Sequence, residues 1–146
     1  MVQIASPGEM FELGTRIGAQ LLPGDLLILN GPLGAGKTLL TQGIGDALGI
    51  TGITSPTFVI SKVHKGKIPL IHVDAYRLIN SQNPSYSFDD LDLDTERENA
   101  ITVVEWGGDL ATRLSDERIE ISIDRSLDTR VVTAVGFGTR WNGFLL

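Results

Sequence analysis

The chain has 146 residues, of which 42% are hydrophobic, and this is enough for one domain with its own core. It contains no cysteine, which excludes disulfides and thiolate metal sites, and its formal charge of -6 disfavours direct binding of RNA or DNA. No apolar run approaches the roughly 18 residues of a membrane span, and the N-terminus has no basic segment leading into an apolar one. We therefore expect a cytoplasmic protein, with no membrane or DNA partner, that forms a single domain over residues 1–146.

The first predicted helix covers about residues 7–22. Ser6 and Glu9 form a capping-box pattern with a proline between them at the first helical position, and apolar residues follow at helical spacing. A Pro-Gly pair then turns the chain into a predicted strand over residues 26–30, which reads Leu-Leu-Ile-Leu-Asn.

The segment after this strand reads Gly-Pro-Leu-Gly-Ala-Gly-Lys-Thr and fits the phosphate-binding loop pattern G-x-x-x-x-G-K-[ST]. Glycines allow successive backbone N–H groups to converge on phosphate oxygens, Lys37 adds a positive charge, and the Thr38 hydroxyl can ligate magnesium. The loop therefore predicts binding of a nucleoside triphosphate. A helix over residues 37–48, stopped by Gly49, should follow it.

Five more strands and one short helix are predicted downstream. The strands cover residues 58–64, 68–73, 100–106, 118–124 and 130–137, and the helix covers about 108–115. A Lys-Gly-Lys turn makes the first two of these strands an antiparallel hairpin. The expected fold is α/β, a three-layer P-loop NTPase-like arrangement with a mixed, mainly parallel central sheet. The polar stretch 80–99 is predicted to be a solvated loop with at most one helical turn.

Strand direction brings several side chains to the phosphate end, because ligands bind beyond the carboxyl ends of parallel strands. Helix one is long enough to return Ser6 to that level, where it either contacts the nucleotide or only caps its helix. The start of the hairpin brings Thr57 there as a candidate switch residue. The turn after strand 118–124 would supply Asp128 and Arg130 for base or ribose contacts, unless these are ordinary turn residues.

Two carboxylates end apolar strands. Asp74 follows Leu-Ile-His-Val, a pattern that in these folds holds magnesium through the second coordination shell. Glu105 follows Ile-Thr-Val-Val and is predicted to activate water, to ligate magnesium, or to form a structural salt bridge, for instance with Arg77. Lys37, Asp74 and Glu105 are the predicted catalytic residues, and Thr38 joins the two acids as a predicted metal ligand.

Three aromatic or imidazole side chains lie near these acids in the sequence. Trp106 could stack on a base or a partner, or pack in the core. His64 and His72 lie on apolar strands, which favours packing over metal ligation. The full set of predicted nucleotide-binding residues is Ser6, Gly31, Pro32, Leu33, Gly34, Ala35, Gly36, Lys37, Thr38, Leu39, Thr57, Asp128 and Arg130.

Four motifs occur in a fixed order: the phosphate-binding loop, Ser-Pro-Thr-Phe at 55–58, His-Val-Asp-Ala-Tyr-Arg-Leu at 72–78 and Glu-Trp at 105–106. In this order and spacing the chain resembles the bacterial TsaE family over nearly its whole length. The resemblance implies a small ATPase that acts with TsaB-like and TsaD-like proteins to make threonylcarbamoyladenosine in tRNA. It also links Thr38 and Glu105 to magnesium. The chain departs from the family pattern at Pro32, where an acidic residue is common.

The predicted function is therefore a Mg²⁺-dependent ATPase, slow alone and activated by partners that hold the tRNA. ATP is favoured over GTP because the chain has no Asn-Lys-x-Asp-like guanine reader. Two alternatives stay open. One is a small-molecule kinase, in which Arg125 or Arg130 would clamp phosphate. The other is a non-hydrolysing sensor, in which ATP orders the loop around Thr57 and changes partner affinity.

Overall fold

A computed structural model of the chain describes residues 1–54, 61–75, 97–106 and 108–146. The strands in these ranges are β1 (Val2–Ile4), β2 (Leu26–Asn30), β3 (Ser61–His64), β4 (Leu70–Asp74), β5 (Ile101–Glu105), β6 (Arg118–Asp124) and β7 (Arg130–Phe137). The helices are α1 (Pro7–Gly18), α2 (Lys37–Ala47) and the short α3 (Gly108–Thr112), with a 3₁₀ turn at Thr139–Trp141. No helix within the described ranges is long and apolar enough to cross a membrane.

The described strands form a single seven-stranded sheet in the order β1-β7-β6-β2-β5-β4-β3. The four central strands β6, β2, β5 and β4 are parallel, whereas β1, β7 and β3 pair antiparallel at the two edges. This confirms the predicted α/β class, the mixed sheet with a parallel centre, and the antiparallel hairpin. The carboxyl ends of the four parallel strands therefore lie at one edge of the sheet.

The predicted element boundaries needed several corrections. Strand β1 was not predicted, because three residues are too few to show a period and its pairing depends on the distant β7. Helix α1 ends at Gly18 rather than residue 22, since the chain tightens there into i→i−3 hydrogen bonds. Helix α3 ends at Thr112 rather than 115. Residues 58–60 of the predicted hairpin and 80–96 of the polar stretch lie outside the described residues.

Alternate residues of the central strands bury opposite faces of the sheet. Leu27 and Leu29 belong to the larger core, which also contains the apolar residues of α1 and α2. Leu26 and Ile28 belong to a smaller core that includes Ala111 of α3. The described helices therefore lie on both sides of the sheet, in the predicted three layers.

Helices α1 and α2 cross with their backbones in contact. A Cβ atom added to Gly43 would overlap the carbonyl oxygen of Phe11, and one added to Gly14 would overlap the carbonyl oxygen of Leu40. The Gly43 Cβ position is also only 2.9 Å from the Gly14 Cα atom, which is closer than real Cβ contacts. The two helices both begin at the phosphate end of the sheet, so this crossing fixes the N-terminus of α1 beside the N-terminus of α2.

Replacing Gly43 with alanine should lower the free energy of unfolding by about 1 to 3 kcal/mol, the usual cost of overpacking. Urea and thermal unfolding measure this change. Gly8→Ala is the matched control, because Gly8 lies in the first turn of α1 and its Cβ position is 3.9 Å from the nearest atom, the Ser6 hydroxyl. That variant should be at least as stable as the wild type, because the added Cβ meets no clash and alanine has the better helix propensity. Unchanged stability of Gly43→Ala would contradict the close crossing.

Candidate active site

The phosphate-binding loop connects β2 to α2, and its glycines adopt backbone angles that other residues avoid. Gly34 has a φ of 75° and Gly36 a φ of 112°. Gly36 is also the N-cap of α2 and supplies no side-chain cap hydrogen bond. The N–H groups in the first turn of α2 are therefore left for an anion, and the helix dipole favours negative charge at the same place.

The Lys37 side chain forms hydrogen bonds with the backbone of this loop. Its Nζ atom donates to the carbonyl oxygens of Gly31 at 2.7 Å and Pro32 at 3.1 Å. An ammonium group has three donors, so these bonds close the loop and leave one donor for a ligand. Burial lowers the pKa of the Lys37 amine, while the negative charges of Glu105 and Asp74 oppose that shift. The two Lys37 hydrogen bonds thus hold the loop in a closed shape.

Asp74 and Glu105 lie at the tips of adjacent parallel strands, where they are register partners across β4 and β5. Side chains alternate along a strand, so Glu105 shares the sheet face of Val103, whose core includes the apolar residues of α2. Glu105 is only 4% exposed. The structure therefore brings both predicted acids to the end of the sheet that carries Lys37.

His72 is the partner of Glu105. Its Nε2 atom lies 2.9 Å from Glu105 Oε1, and the imidazole has no solvent exposure. The prediction of a packing histidine was therefore incomplete, because His72 is buried but also contacts the predicted catalytic acid. The alternative partner Arg77 lies outside the described residues. The sequence did contain a signal, since His72 precedes Asp74 by two residues and must share its face of the strand.

A cavity of about 90 Å³ opens beside the loop. Its lining residues come from the loop, from both helix N-termini and from the start of β7: Ser6, Pro7, Met10, Gly34, Ala35, Gly36, Leu39 and Arg130. Ser6 also accepts a 3.2 Å hydrogen bond from the Glu9 backbone N–H, so it caps α1 and lines the cavity at once. Asp128 is exposed in the β6–β7 turn and does not line this cavity. Thr57 lies outside the described residues.

The β6–β7 turn contacts the phosphate-binding loop through Arg125. Its Nη1 atom donates to the Leu33 carbonyl oxygen at 2.6 Å. At the start of the turn, Asp124 accepts a 2.8 Å hydrogen bond from the Ser126 backbone N–H, and this bond lowers the pKa of the Asp124 carboxyl. The kinase alternative predicts Arg125 as a phosphate clamp, and nothing in the sequence indicates this contact with the loop.

The indole ring of Trp106 contacts the ammonium group of Lys37. The Lys37 Nζ atom lies 4.2 Å from the centre of the indole ring, a cation–π distance. Trp106 has a φ of 60°, and it is the one residue other than glycine with a positive φ in the described part of the chain. Its ring is half-buried against the lysine rather than packed in the core.

The family model described as "Threonylcarbamoyl adenosine biosynthesis protein TsaE" matches residues 4–132. The chain belongs to the TsaE family. Proteins named tRNA threonylcarbamoyladenosine biosynthesis protein TsaE are similar to it, with 48% identity in Mycobacterium tuberculosis and 45% in Streptomyces coelicolor. The first match covers 86% of this chain and 80% of the relative, and the second covers 90% and 93%.

A crystal structure of Bacillus subtilis YdiB has a similar fold, with a TM-score of 0.78 and 34% sequence identity. The alignment covers 97% of this chain and 87% of YdiB. The match to the TsaE family model runs from β1 into β7 and so includes the loop, both acids and Arg130. The predicted family resemblance is confirmed.

In this TsaE-family chain, Trp106 should report nucleotide binding. A phosphate on Lys37 changes the charge against the indole ring, so MgATP should change the tryptophan emission. Trp106→Phe should abolish the change, because Trp141 is 5% exposed and packs on Phe144 away from the loop. Fluorescence titration of the wild type and of this variant measures the effect. A change of equal size in Trp106→Phe would contradict the contact.

Proposed function

We propose that the chain is the ATP-binding and ATP-hydrolysing component of the machinery that makes threonylcarbamoyladenosine in tRNA. One observation supports the ATPase part above others, namely that Lys37 closes the phosphate-binding loop at the strand end that also carries Asp74 and Glu105. The process is proposed from the names of the relatives, which are tRNA threonylcarbamoyladenosine biosynthesis proteins.

In the proposed binding mode, the phosphates lie in the loop and the rest of the nucleotide lies beside it. The phosphates would accept hydrogen bonds from the N–H groups at the start of α2 and from the remaining donor of Lys37. The base and ribose would extend toward the cavity lined by Ser6, Met10, Leu39 and Arg130. The apolar Met10 and Leu39 suit the face of a base, and the hydroxyl of Ser6 and the guanidinium of Arg130 can contact polar groups.

The residues at this end of the sheet fit a magnesium ion. Magnesium prefers oxygen ligands and is usually bound by one or two carboxylates together with substrate phosphates and water. Thr38 at the start of α2 offers a hydroxyl, and Asp74 and Glu105 offer carboxylates. When bound, such an ion would neutralise part of the phosphate charge.

The chain's own groups suit hydrolysis of the terminal phosphate. Glu105 would orient a water molecule, whose oxygen attacks the terminal phosphorus as its proton passes to the carboxylate and ADP leaves. Lys37 would stabilise the negative charge on the phosphate oxygens during this step. Glu105 Oε1 is engaged by His72, so Oε2 is the oxygen proposed to contact water.

We propose TsaB-like and TsaD-like proteins as partners, with the tRNA contacted through them. The net charge of -6 supports tRNA binding by the partners, because a protein that binds nucleic acid by itself usually carries positive charge. A slow basal rate and a cytoplasmic location belong to the same proposal.

Phosphate release from MgATP tests the proposal, measured with the chain alone and with the two partner proteins and tRNA. We expect slow release alone and faster release with partners. Transfer of labelled phosphate to a small acceptor would instead support the kinase alternative, in which Arg125 or Arg130 clamps phosphate. ATP binding without turnover in every mixture would support the sensor.

A further inference from the structure

We propose that His72 is a positioning residue that fixes the carboxylate of Glu105 for hydrolysis. The inference rests on the proposed ATPase function and adds a residue to it. In this view the imidazole contacts neither nucleotide nor water and acts only through Glu105.

The register of β4 and β5 brings His72 close to Glu105. His72 pairs with Val103, and Asp74 pairs with Glu105, on adjacent parallel strands. His72 therefore lies on the same sheet face as the two acids, two residues before Asp74 along β4. From there it reaches across to Glu105, with Nε2 at 2.9 Å from Oε1. Both side chains are rigidly placed, because His72 is fully buried and Glu105 is 4% exposed.

The position of the ring proton follows from the other nitrogen. His72 Nδ1 is buried and has no hydrogen-bond partner among the described residues. A proton on Nδ1 would bury a donor that has no acceptor. The same tautomer would turn the lone pair of Nε2 toward the carboxylate, and both effects are unfavourable. The proposal therefore assigns the ring proton to Nε2, so that His72 donates to Glu105 Oε1.

This bond restricts a side chain that otherwise has three rotatable torsions. With Oε1 held by His72, Oε2 is the oxygen that the proposal assigns to the attacking water. Misplacing a catalytic group by about 1 Å costs on the order of 100-fold in rate. An apolar residue in place of His72 would fill the space but would leave the Glu105 carboxylate unanchored.

The test compares His72→Phe, which fills the space without a donor, with His72→Gln, whose amide nitrogen can replace Nε2. ATP hydrolysis is measured in the full chain with its partner proteins, and affinity is measured with a non-hydrolysable ATP analogue. We expect His72→Phe to lower kcat roughly 10- to 100-fold, with KM and analogue affinity within about twofold of the wild type. His72→Gln should restore most of the lost rate.

The same His72 substitution made in a Glu105→Gln variant separates positioning of Glu105 from a general structural role of His72. In Glu105→Gln the carboxylate is already gone, so adding His72→Phe should lower kcat no further. Equal losses in both backgrounds would overturn the proposal, as would a wild-type kcat in His72→Phe. If His72→Phe does not fold, His72→Asn replaces it in both backgrounds, because its amide is too short to reach Glu105.

One readout needs no turnover. Long-range ¹H–¹⁵N spectra of the ring nitrogens are simple here, since the chain has two histidines and His72→Gln assigns the signals. We expect the Nε2–H tautomer for His72, and an Nδ1–H tautomer would overturn the proposal. Absence of ATP turnover in the wild type, by contrast, would contradict the proposed function and leave the tautomer result to decide the contact.

Discussion

Replacing Lys37 with alanine should weaken ATP binding about 100-fold. A hydrogen bond to a charged group contributes about 1.5 to 3 kcal/mol, and 2.7 kcal/mol corresponds to about 100-fold in affinity. The variant loses the phosphate cation and also the two bonds by which Lys37 closes the loop onto Gly31 and Pro32. Isothermal titration calorimetry with MgATP measures the affinity.

Lys65→Ala is the matched control. Lys65 is exposed in the β3–β4 turn, at the end of the sheet opposite the phosphate-binding loop, so its loss removes one positive charge without touching the site. Its affinity for MgATP should stay within about twofold of the wild type, since exposed charges are screened within a Debye length of roughly 8 Å. If the two lysine variants weakened binding equally, Lys37 would not be the phosphate cation.

Replacing Glu105 with glutamine should lower ATP turnover by roughly 10²- to 10⁴-fold, the range that a general base supplies. Glutamine keeps the shape of the side chain and an oxygen that can accept the bond from His72, so the fold and the nucleotide affinity should be preserved. Single-turnover phosphate release measures the rate, and binding of a non-hydrolysable analogue measures the affinity.

Glu98→Gln removes the same charge from an exposed position beside Gly24, far from the loop. It should hydrolyse ATP at the wild-type rate. Wild-type turnover in Glu105→Gln would remove Glu105 from the catalytic role. A loss of analogue binding together with turnover would instead favour its role as a magnesium ligand.

The parts of the site that the sequence predicted are those governed by short-range rules. The glycine pattern predicted the loop, and the apolar runs before Asp74 and Glu105 predicted two strand ends. Strand direction then brought the acids and Ser6 to one edge, as the structure places them. The same period-two rule puts His72 on the strand face of Asp74, and the pairing of β4 with β5 then brings it to Glu105.

Other contacts depend on geometry that no local pattern specifies. Arg125 and Leu33 are 92 positions apart, and their contact exists only because the β6–β7 turn folds over the loop. Trp106 contacts Lys37 through a positive φ that residues other than glycine rarely adopt, so the sequence could not indicate it. The role of Thr57 stays a prediction.

The close crossing of α1 and α2 at their glycines limits how these two helices can move. Because backbone meets backbone at Gly14 and Gly43, the two helices pack without a gap between them at this crossing. We therefore expect the N-terminal ends of α1 and α2, which line the cavity beside the phosphate-binding loop, to move as one rigid body. If the chain hydrolyses ATP as proposed, the change from triphosphate to diphosphate would be sensed at the ends of β4 and β5, where Asp74 and Glu105 lie. A docking partner would then have to contact that side of the nucleotide.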